Sequence, residues 1–539
     1  MTEREFNLIE EPWILVRDTW CNVREVSLGE VFASAHEYEG LAGELPTQNV
    51  AVLRLLVAIL YTVFWRMDEK GNPLELKSNQ DAILRWKRIW EGGMFPMEPI
   101  TSYFNTVKDR FWLFDATFPF YQSLIAKQAK RFSTSRLIGE VFESENKGNR
   151  IFFTLRRGEG KDRLSYAEAA RWVLNLNGYD DCSIKNPSPK ASYLSQLGII
   201  FAEGRNLFET LMLNLCFIKD GEEFWKENPK PVWESGFETN KPCVEIAMPS
   251  EPAGLLTVQS RKMFLHREDG IVKGFHICAG DYFDTESSIS EQMTVWKKQE
   301  EKNGNIRIYP RIHDATKQMW RNFSSILAKE EKGRRAGVLS WMDRLKKQGA
   351  LPQRFRAKFH IVSAEYGNMR CGITQIFEDS LDVYAGLLSE VGKIYAAMVS
   401  EEIGKCDEVG RLIRHLAEST MEAVGAEDKI KESFGKKEQE RFYYMLDIPS
   451  RQWIASINPE DETMDLEDYP PIWRSEVKRI AFRQASEIVE QGGLKAIIGR
   501  KGNEKEKKAL SRSKHYSSAD AHSLFVSQIA RIYQGKEDG

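Results

Sequence analysis

At 539 residues the chain exceeds one hydrophobic core, and at roughly 100–200 residues per domain it should hold two to four domains. Its 42% hydrophobic and 29% charged residues are those of an ordinary globular protein, which excludes disordered and fibrous classes. Lys and Arg number 76 against 79 Asp and Glu, a net charge of −3, so any surface for nucleic acid must be local.

The opening reads as strand, turn and helix. Trp13-Ile14-Leu15-Val16 is a short apolar run, a polar turn follows at Arg17-Asp18-Thr19, and Ser27-Leu28-Gly29-Glu30 has capping-box spacing. The first ten residues, MTEREFNLIE, are charged where a secretory signal needs an apolar stretch. Pro46-Thr47 precedes the most apolar segment, with Thr47 the expected N-cap. That segment, Val50 to Trp65, spans 16 residues and carries Arg54, short of the ~20 that cross a bilayer, so a buried helix and no membrane are expected. From Trp86 to Tyr121 aromatic residues are dense enough to stack on bases, but packing in a core is the default reading.

Residues 127–163 form a polar segment with ten basic and five acidic side chains, a net charge of +5. Farther on, Glu268-Asp269-Gly270 reads as a turn between the apolar runs Met263–Leu265 and Ile271–Val272. After about residue 376 apolar residues recur at helical spacing, beginning with Leu381, Tyr384 and Leu387. Four or five amphipathic helices follow within ~160 residues, which predicts a bundle. The fold class is therefore α+β: a mixed α/β N-terminal domain over 1–375, then an all-α C-terminal four-helix bundle over 376–539. Between the last two helices lies a basic loop, residues 495–514, with eight basic and two acidic residues, a net charge of +6.

Known catalytic patterns are absent. Gly158-Glu159-Gly160-Lys161 has one residue between its glycines where a P-loop needs four, and Asp162 stands where Ser or Thr should follow. His313-Asp314 reads as a surface pair, with no ligand spacing around it. Cys21, Cys182, Cys216, Cys243, Cys278, Cys371 and Cys406 form no C-x-x-C, so neither a structural metal nor a disulfide framework is expected, and the thiols suit a reducing cytoplasm. No metal or other cofactor is expected. Charge runs are usually solvated faces, but the segregation of basic residues into two loops of a chain that is acidic elsewhere is what a local phosphate-binding surface requires.

The N-terminal region carries a family pattern. Phe6-Asn7-Leu8-Ile9-Glu10-Glu11-Pro12-Trp13-Ile14, then Val26-Ser27-Leu28, then Leu41-Ala42-Gly43-Glu44-Leu45-Pro46-Thr47-Gln48 lead into Leu53-Arg54-Leu55-Leu56. These residues, with Phe118–Gln122, Leu207–Leu215 and Val258-Gln259-Ser260-Arg261-Lys262, resemble the CasA family, the large subunit of the type I-E CRISPR Cascade complex. The resemblance covers essentially the whole chain.

It implies a non-catalytic subunit that reads a protospacer-adjacent motif (PAM) on double-stranded target DNA, promotes R-loop formation and recruits a helicase-nuclease. It also implies contacts with the guide RNA 5′ handle, the backbone subunits and the small-subunit dimer of Cascade. By resemblance, Gly158, Glu159, Gly160 and Lys161 match a glycine loop and Lys273 a lysine finger. The turn Asn368, Met369, Arg370 and Cys371 falls where a wedge should be, with Arg370 in place of the familiar glutamine. Some relatives have clustered cysteines beside the finger; only Cys278 follows here, so no zinc is expected. Arg136, Lys147, Arg150, Arg156 and Arg157 in the first basic segment and Lys501, Lys505, Lys508, Arg512 and Lys514 in the second are expected to make non-specific nucleic-acid contacts. The rival readings are a scaffold that holds only guide RNA and partner subunits, and a degenerate nuclease using His313-Asp314.

Overall fold

The computed structural model describes residues 4–138, 162–180, 191–235, 240–283, 290–300, 304–326, 333–367, 373–501 and 515–534. The chain divides into two compact units, Met1–Lys317 with Ser325–Ser380, and Gln318–Ser324 with Leu381–Gly539. Helix and strand are mixed in the first, and long helices dominate the second, the α+β composition that the residue pattern predicts.

The helix Pro46–Arg66 forms the core of the first unit. It is apolar on every face, and every residue from Val50 to Trp65 is buried. Pro46 occupies the first turn, where a missing N–H costs nothing, and Leu45 takes the cap position. Thr47 is thus not the cap. Gln48 and Asn49 instead turn back to accept the Glu44 N–H at 3.0 Å and the Gly43 N–H at 2.7 Å, satisfying the preceding loop. Arg54 lies inside this core because Glu291 meets it in a two-pronged ion pair, at 2.9 and 3.0 Å, and Tyr193 Oη donates to the same carboxylate at 3.0 Å. The aromatic stretch is core as well: Trp86, Phe95, Tyr103, Phe104, Phe111 and Phe120 are buried.

Of the four three-stranded sheets among the described residues, three bear on the candidate site. In one, Ile14–Asp18 lies between Val23–Val26 and Tyr38–Leu41. In the second, Ile271–Ala279 lies between Arg261–Glu268 and the short strand Arg131–Phe132. In the third, Arg356–Tyr366 lies between Ile199–Glu203 and Ile373–Tyr384. Leu381 and Tyr384, at helical spacing in the sequence, belong to that last strand; alternating burial at Leu381 and Val383 places them on a sheet. Helical structure begins only at Ala385.

The second unit holds four long helices among the described residues, Gly392–Val424, Asp428–Ser456, Tyr469–Ile498 and Ser518–Tyr533. Trp453 and Trp473 stack at 5.1 Å in its core. Trp320, from the stretch Gln318–Ser324, meets Trp473 edge-on at 6.0 Å, while Arg321 lies 3.4 Å over the Tyr443 ring and bonds Asp407 at 3.0 Å.

Candidate nucleic-acid interface

Lys273 sits on the hairpin Arg261–Glu268/Ile271–Ala279. Asp269 (φ 52°) and Gly270 (φ 75°) make its turn, both left-handed as a two-residue hairpin turn of primed type requires. Pairing runs His266 to Gly274 and then Arg267 to Val272, so Lys273 is the extra residue of a β-bulge. A bulge re-aims a side chain, and here it brings Lys273 Nζ to 2.7 Å from Glu268 Oε2, with the lysine half-buried. The hydrogen bond and charge of Lys273 hold the Glu268 carboxyl below its ordinary value.

Both ends of the first basic segment are fastened to this hairpin. At its entry, Phe132 pairs with Phe275 and Arg131 with His276. Gly274 makes this approach possible, because a Cβ there would lie 2.6 Å from Phe132 O and 3.2 Å from Arg131 Nε. At its exit, Leu164 and Val272 exchange both backbone hydrogen bonds, at 2.9 and 3.1 Å. The described residues on both sides of 139–161 in sequence are therefore tied to the hairpin that bears Lys273.

The outward face of the hairpin is electropositive. Lys127 lies 4.2 Å over the Phe264 ring, and Lys127, Lys130 and Arg131 are exposed. His276 Nδ1 donates to Ala129 O at 2.7 Å, which leaves its Nε2 to accept from His266 Nε2 at 2.6 Å. Burial first, then the Arg131 charge, the facing His276 ring and the Lys127 charge, disfavour the His266 cation and push its pKa below the ordinary value.

Ser165 follows Leu164 and caps the helix Tyr166–Tyr179 with a capping box: Ser165 Oγ accepts the Glu168 N–H at 3.1 Å, and Glu168 accepts the Ser165 N–H at 2.7 Å. At the far end, some 20 Å away at ~1.5 Å per residue, Tyr366 Oη donates to Tyr179 O at 2.6 Å. Tyr366 ends the strand Arg356–Tyr366, just before the residues 368–371 expected to form the wedge. In that strand His360 meets Glu203 and, at 3.4 Å, Glu378 from the two flanking strands. Burial alone would lower its pKa, but the hydrogen bonds to the two carboxylates prevail and raise it.

The sequence profile of the CRISPR-associated protein Cse1 family matches residues 7–484. The chain belongs to that family. A CasA/Cse1 protein of Thermus thermophilus is 30% identical over 234 residues, 43% of this chain, and the matched stretch spans 42% of that relative's own length. Thermobifida fusca Cse1 has the same fold over 98% of both chains, with a TM-score of 0.80 and 26% identity. Acidimicrobium ferrooxidans Cse1 matches 98% of this chain and 99% of its own at a TM-score of 0.76 and 23% identity. A chain of a CRISPR RNA-guided surveillance complex shares the fold at a TM-score of 0.68 and 15% identity, over 98% of this chain and 100% of its own.

Residues carrying the family pattern brace the helix Tyr166–Tyr179 at both ends. Trp13 Nε1 donates to Leu8 O at 2.9 Å, and Arg171 of the helix Tyr166–Tyr179 donates to Trp13 O and Glu25 Oε1, both at 2.6 Å. Trp172 Nε1 donates to Glu44 at 3.0 Å. At the other end of the helix, Asn177 joins Val258 O at 2.9 Å, Ser260 Oγ at 2.7 Å and Arg261 N at 3.1 Å.

Two sequence expectations are corrected. Arg136 is no solvent-facing phosphate contact: it is buried, its guanidinium 4.4 Å over the Phe132 ring. His313 is no surface residue either. It is 3% exposed, and its Nε2 donates to Ile199 O at 3.0 Å. Burial pushes its pKa down to about 4, so the ring is neutral and locked as a strut rather than available for chemistry. Asp314 meanwhile accepts from Thr316 Oγ1 at 2.6 Å. Among the described residues no group of three or more His, Cys, Asp and Glu could hold a metal ion.

Gly158, Glu159, Gly160, Lys161, Lys147, Arg150, Arg156 and Arg157 lie outside the described residues, as do Asn368, Met369, Arg370, Cys371, Lys505, Lys508, Arg512 and Lys514. Only the backbone of Lys501 is described, in a two-stranded ladder of Arg500–Lys501 with His515–Tyr516. The His266–His276 pair was not singled out by sequence reasoning, although pairing across the Glu268-Asp269-Gly270 turn puts both residues on one face.

Proposed function

We propose that this chain is the non-catalytic, PAM-reading large subunit of a type I-E surveillance complex. The observation that supports the reading is that the described chain on both sides of residues 139–161 pairs with the hairpin that bears Lys273, Phe132 with Phe275 before it and Leu164 with Val272 after it. Backbone freed of Cβ atoms at Gly158 and Gly160 can enter a minor groove only ~6 Å wide, and Lys273 adds a donor for the base acceptors there. Minor-groove readout is degenerate, which suits a short motif when pairing with guide RNA reads the rest of the target. Arg370, on the turn after Tyr366, is the side chain that enters the base stack where the strands part.

The surrounding basic residues hold phosphates without reading sequence. Lys147, Arg150, Arg156 and Arg157 serve the guide RNA 5′ handle and the flanking backbone; Lys501, Lys505, Lys508, Arg512 and Lys514 serve the displaced strand. The helical unit meets the small-subunit dimer, the first unit meets the backbone subunits, and the assembled surface recruits the helicase-nuclease in the cytoplasm. The buried, neutral His313 supports a role without catalysis. Target binding by the reconstituted complex against a library of randomised PAMs tests the reading. A short motif enriched with the wild-type chain and lost with Gly160→Leu is expected; binding that is indifferent to the flanking sequence refutes it and favours a scaffold.

A further inference from the structure

The chain builds the same five-residue loop twice. Between Asp18 and Asn22, Asp18 Oδ1 accepts the N–H groups of Trp20 and Asn22, both at 2.9 Å, and Asn22 Nδ2 donates to Asp18 Oδ2 at 3.2 Å. Asp18 N also donates to Asn22 O, and Cys21 N to Asp18 O, each at 3.0 Å. Between Asp68 and Asn72 every one of these bonds recurs: Lys70 N at 2.9 Å and Asn72 N at 2.8 Å to Asp68 Oδ1, and Asn72 Nδ2 to Asp68 Oδ2 at 3.0 Å. The backbone bonds match too, Asp68 N to Asn72 O at 3.0 Å and Gly71 N to Asp68 O at 3.1 Å.

Only the first and last residues do the closing, so the middle ones are free to vary. In the second loop they are what a solvent-facing turn needs: Lys70 at the exposed tip and Gly71 at the left-handed position, φ 80°. The first loop has Trp20 at the tip, 83% exposed, and Cys21 at the left-handed position, φ 63°. Nothing in the loop's geometry calls for an indole there, and the twin loop shows that lysine serves. A large ring held in water by a closed, five-bond turn is a preorganised anchor: it binds without ordering anything first.

Its surroundings name the kind of partner. Val23, 54% exposed, follows the loop as the first residue of the strand Val23–Val26. The nearby cations are already matched within the chain, Arg17 with Glu39 at 2.7 Å and Arg24 with Glu30 at 3.3 Å. A nucleic acid would need unmatched cations for its phosphates. An exposed indole beside the anionic Asp18 carboxylate, which would repel phosphates, instead fits an apolar pocket in a protein. We infer that Trp20 is a docking anchor that seats this chain in an apolar pocket of a neighbouring protein subunit. The inference rests on the reading of the chain as a surveillance-complex subunit.

The test titrates the chain onto its cognate guide-RNA-loaded complex purified without this subunit, comparing wild type with Trp20→Lys, which copies the twin loop. Trp20→Lys should keep the wild-type melting temperature and bind the complex at least ~30-fold more weakly, the size of an interface hot spot. At saturating variant, target DNA binding should return to the wild-type level, which separates docking from reading. A photo-crosslinker replacing Trp20 should trap a protein subunit. Equal affinity of the two proteins, a weakening matched by a lower melting temperature, crosslinks to RNA or DNA, or loss only of self-association in the free chain each overturn the inference. If wild type itself fails to join the complex, the reading beneath it fails first, and the inference with it.

Discussion

His313→Gln gives a test whose size follows from the structure. At pH 7 the His313 ring is neutral in both folded and unfolded chains. As pH falls through about 6.5 the unfolded ring takes up a proton, while the folded ring resists down to about 4 because burial and the charge of Arg311 disfavour the cation. In that window the unfolded state binds more protons, so the group removes ~1.4 kcal/mol of stability per pH unit, about 3 kcal/mol in all by pH 4. Glutamine keeps an N–H within reach of Ile199 O but does not titrate. Urea midpoints of both proteins, measured from pH 7 to pH 4.5, should show the wild type losing its advantage over the variant steadily below pH 6.5. Because the same buffers and the same other groups act on both, the difference isolates this ring. A difference that stays constant with pH would refute the reasoning, and DNA cleavage by the wild-type chain but not the variant would restore the nuclease reading.

Gly274→Val should force the strand Arg131–Phe132 off the hairpin, because the new Cβ meets Phe132 O at 2.6 Å. At an overpacking cost on the order of 1–3 kcal/mol, proteolysis around residue 131 should quicken and target binding should fall, although Lys273 is untouched. Replacing four of Lys501, Lys505, Lys507, Lys508, Arg512 and Lys514 by Ala should weaken DNA binding for all sequences. It should also flatten the log–log salt dependence by up to ~0.7–0.9 per lost phosphate contact; an unchanged slope returns the loop to a solvated surface.

The sequence disclosed what periodicity and composition encode. An apolar run with no polar face, Val50–Trp65, has nowhere to go but a core, and the bundle helices from Gly392 onward announce themselves by spacing. It misled where one letter has two outcomes set by distant residues. Arg136 counts as a positive charge in a basic segment, yet the Phe132 ring receives it inside the fold. His313 looks solvent-facing beside Asp314, yet Ile199 and Ser363, far away in sequence, enclose it. Thr47 lost the cap because the helix already begins at Pro46, with Leu45 at the cap position. The bulge that aims Lys273 depends on cross-strand register, which no local pattern records, so only family resemblance pointed to that residue. The insertion of Trp320 among the bundle helices is a tertiary contact and equally illegible beforehand.

The central claim is that Lys273, aimed by its bulge beside the rooted basic segment, reads the duplex. The most direct measurement is the affinity of the assembled complex for a short duplex that carries the preferred PAM but no sequence matching the guide. Lys273→Ala should lower that affinity by roughly 1–3 kcal/mol, about 5- to 150-fold, and leave binding to a duplex with a disfavoured PAM nearly unchanged. Equal losses on both duplexes, or none on either, would contradict the account.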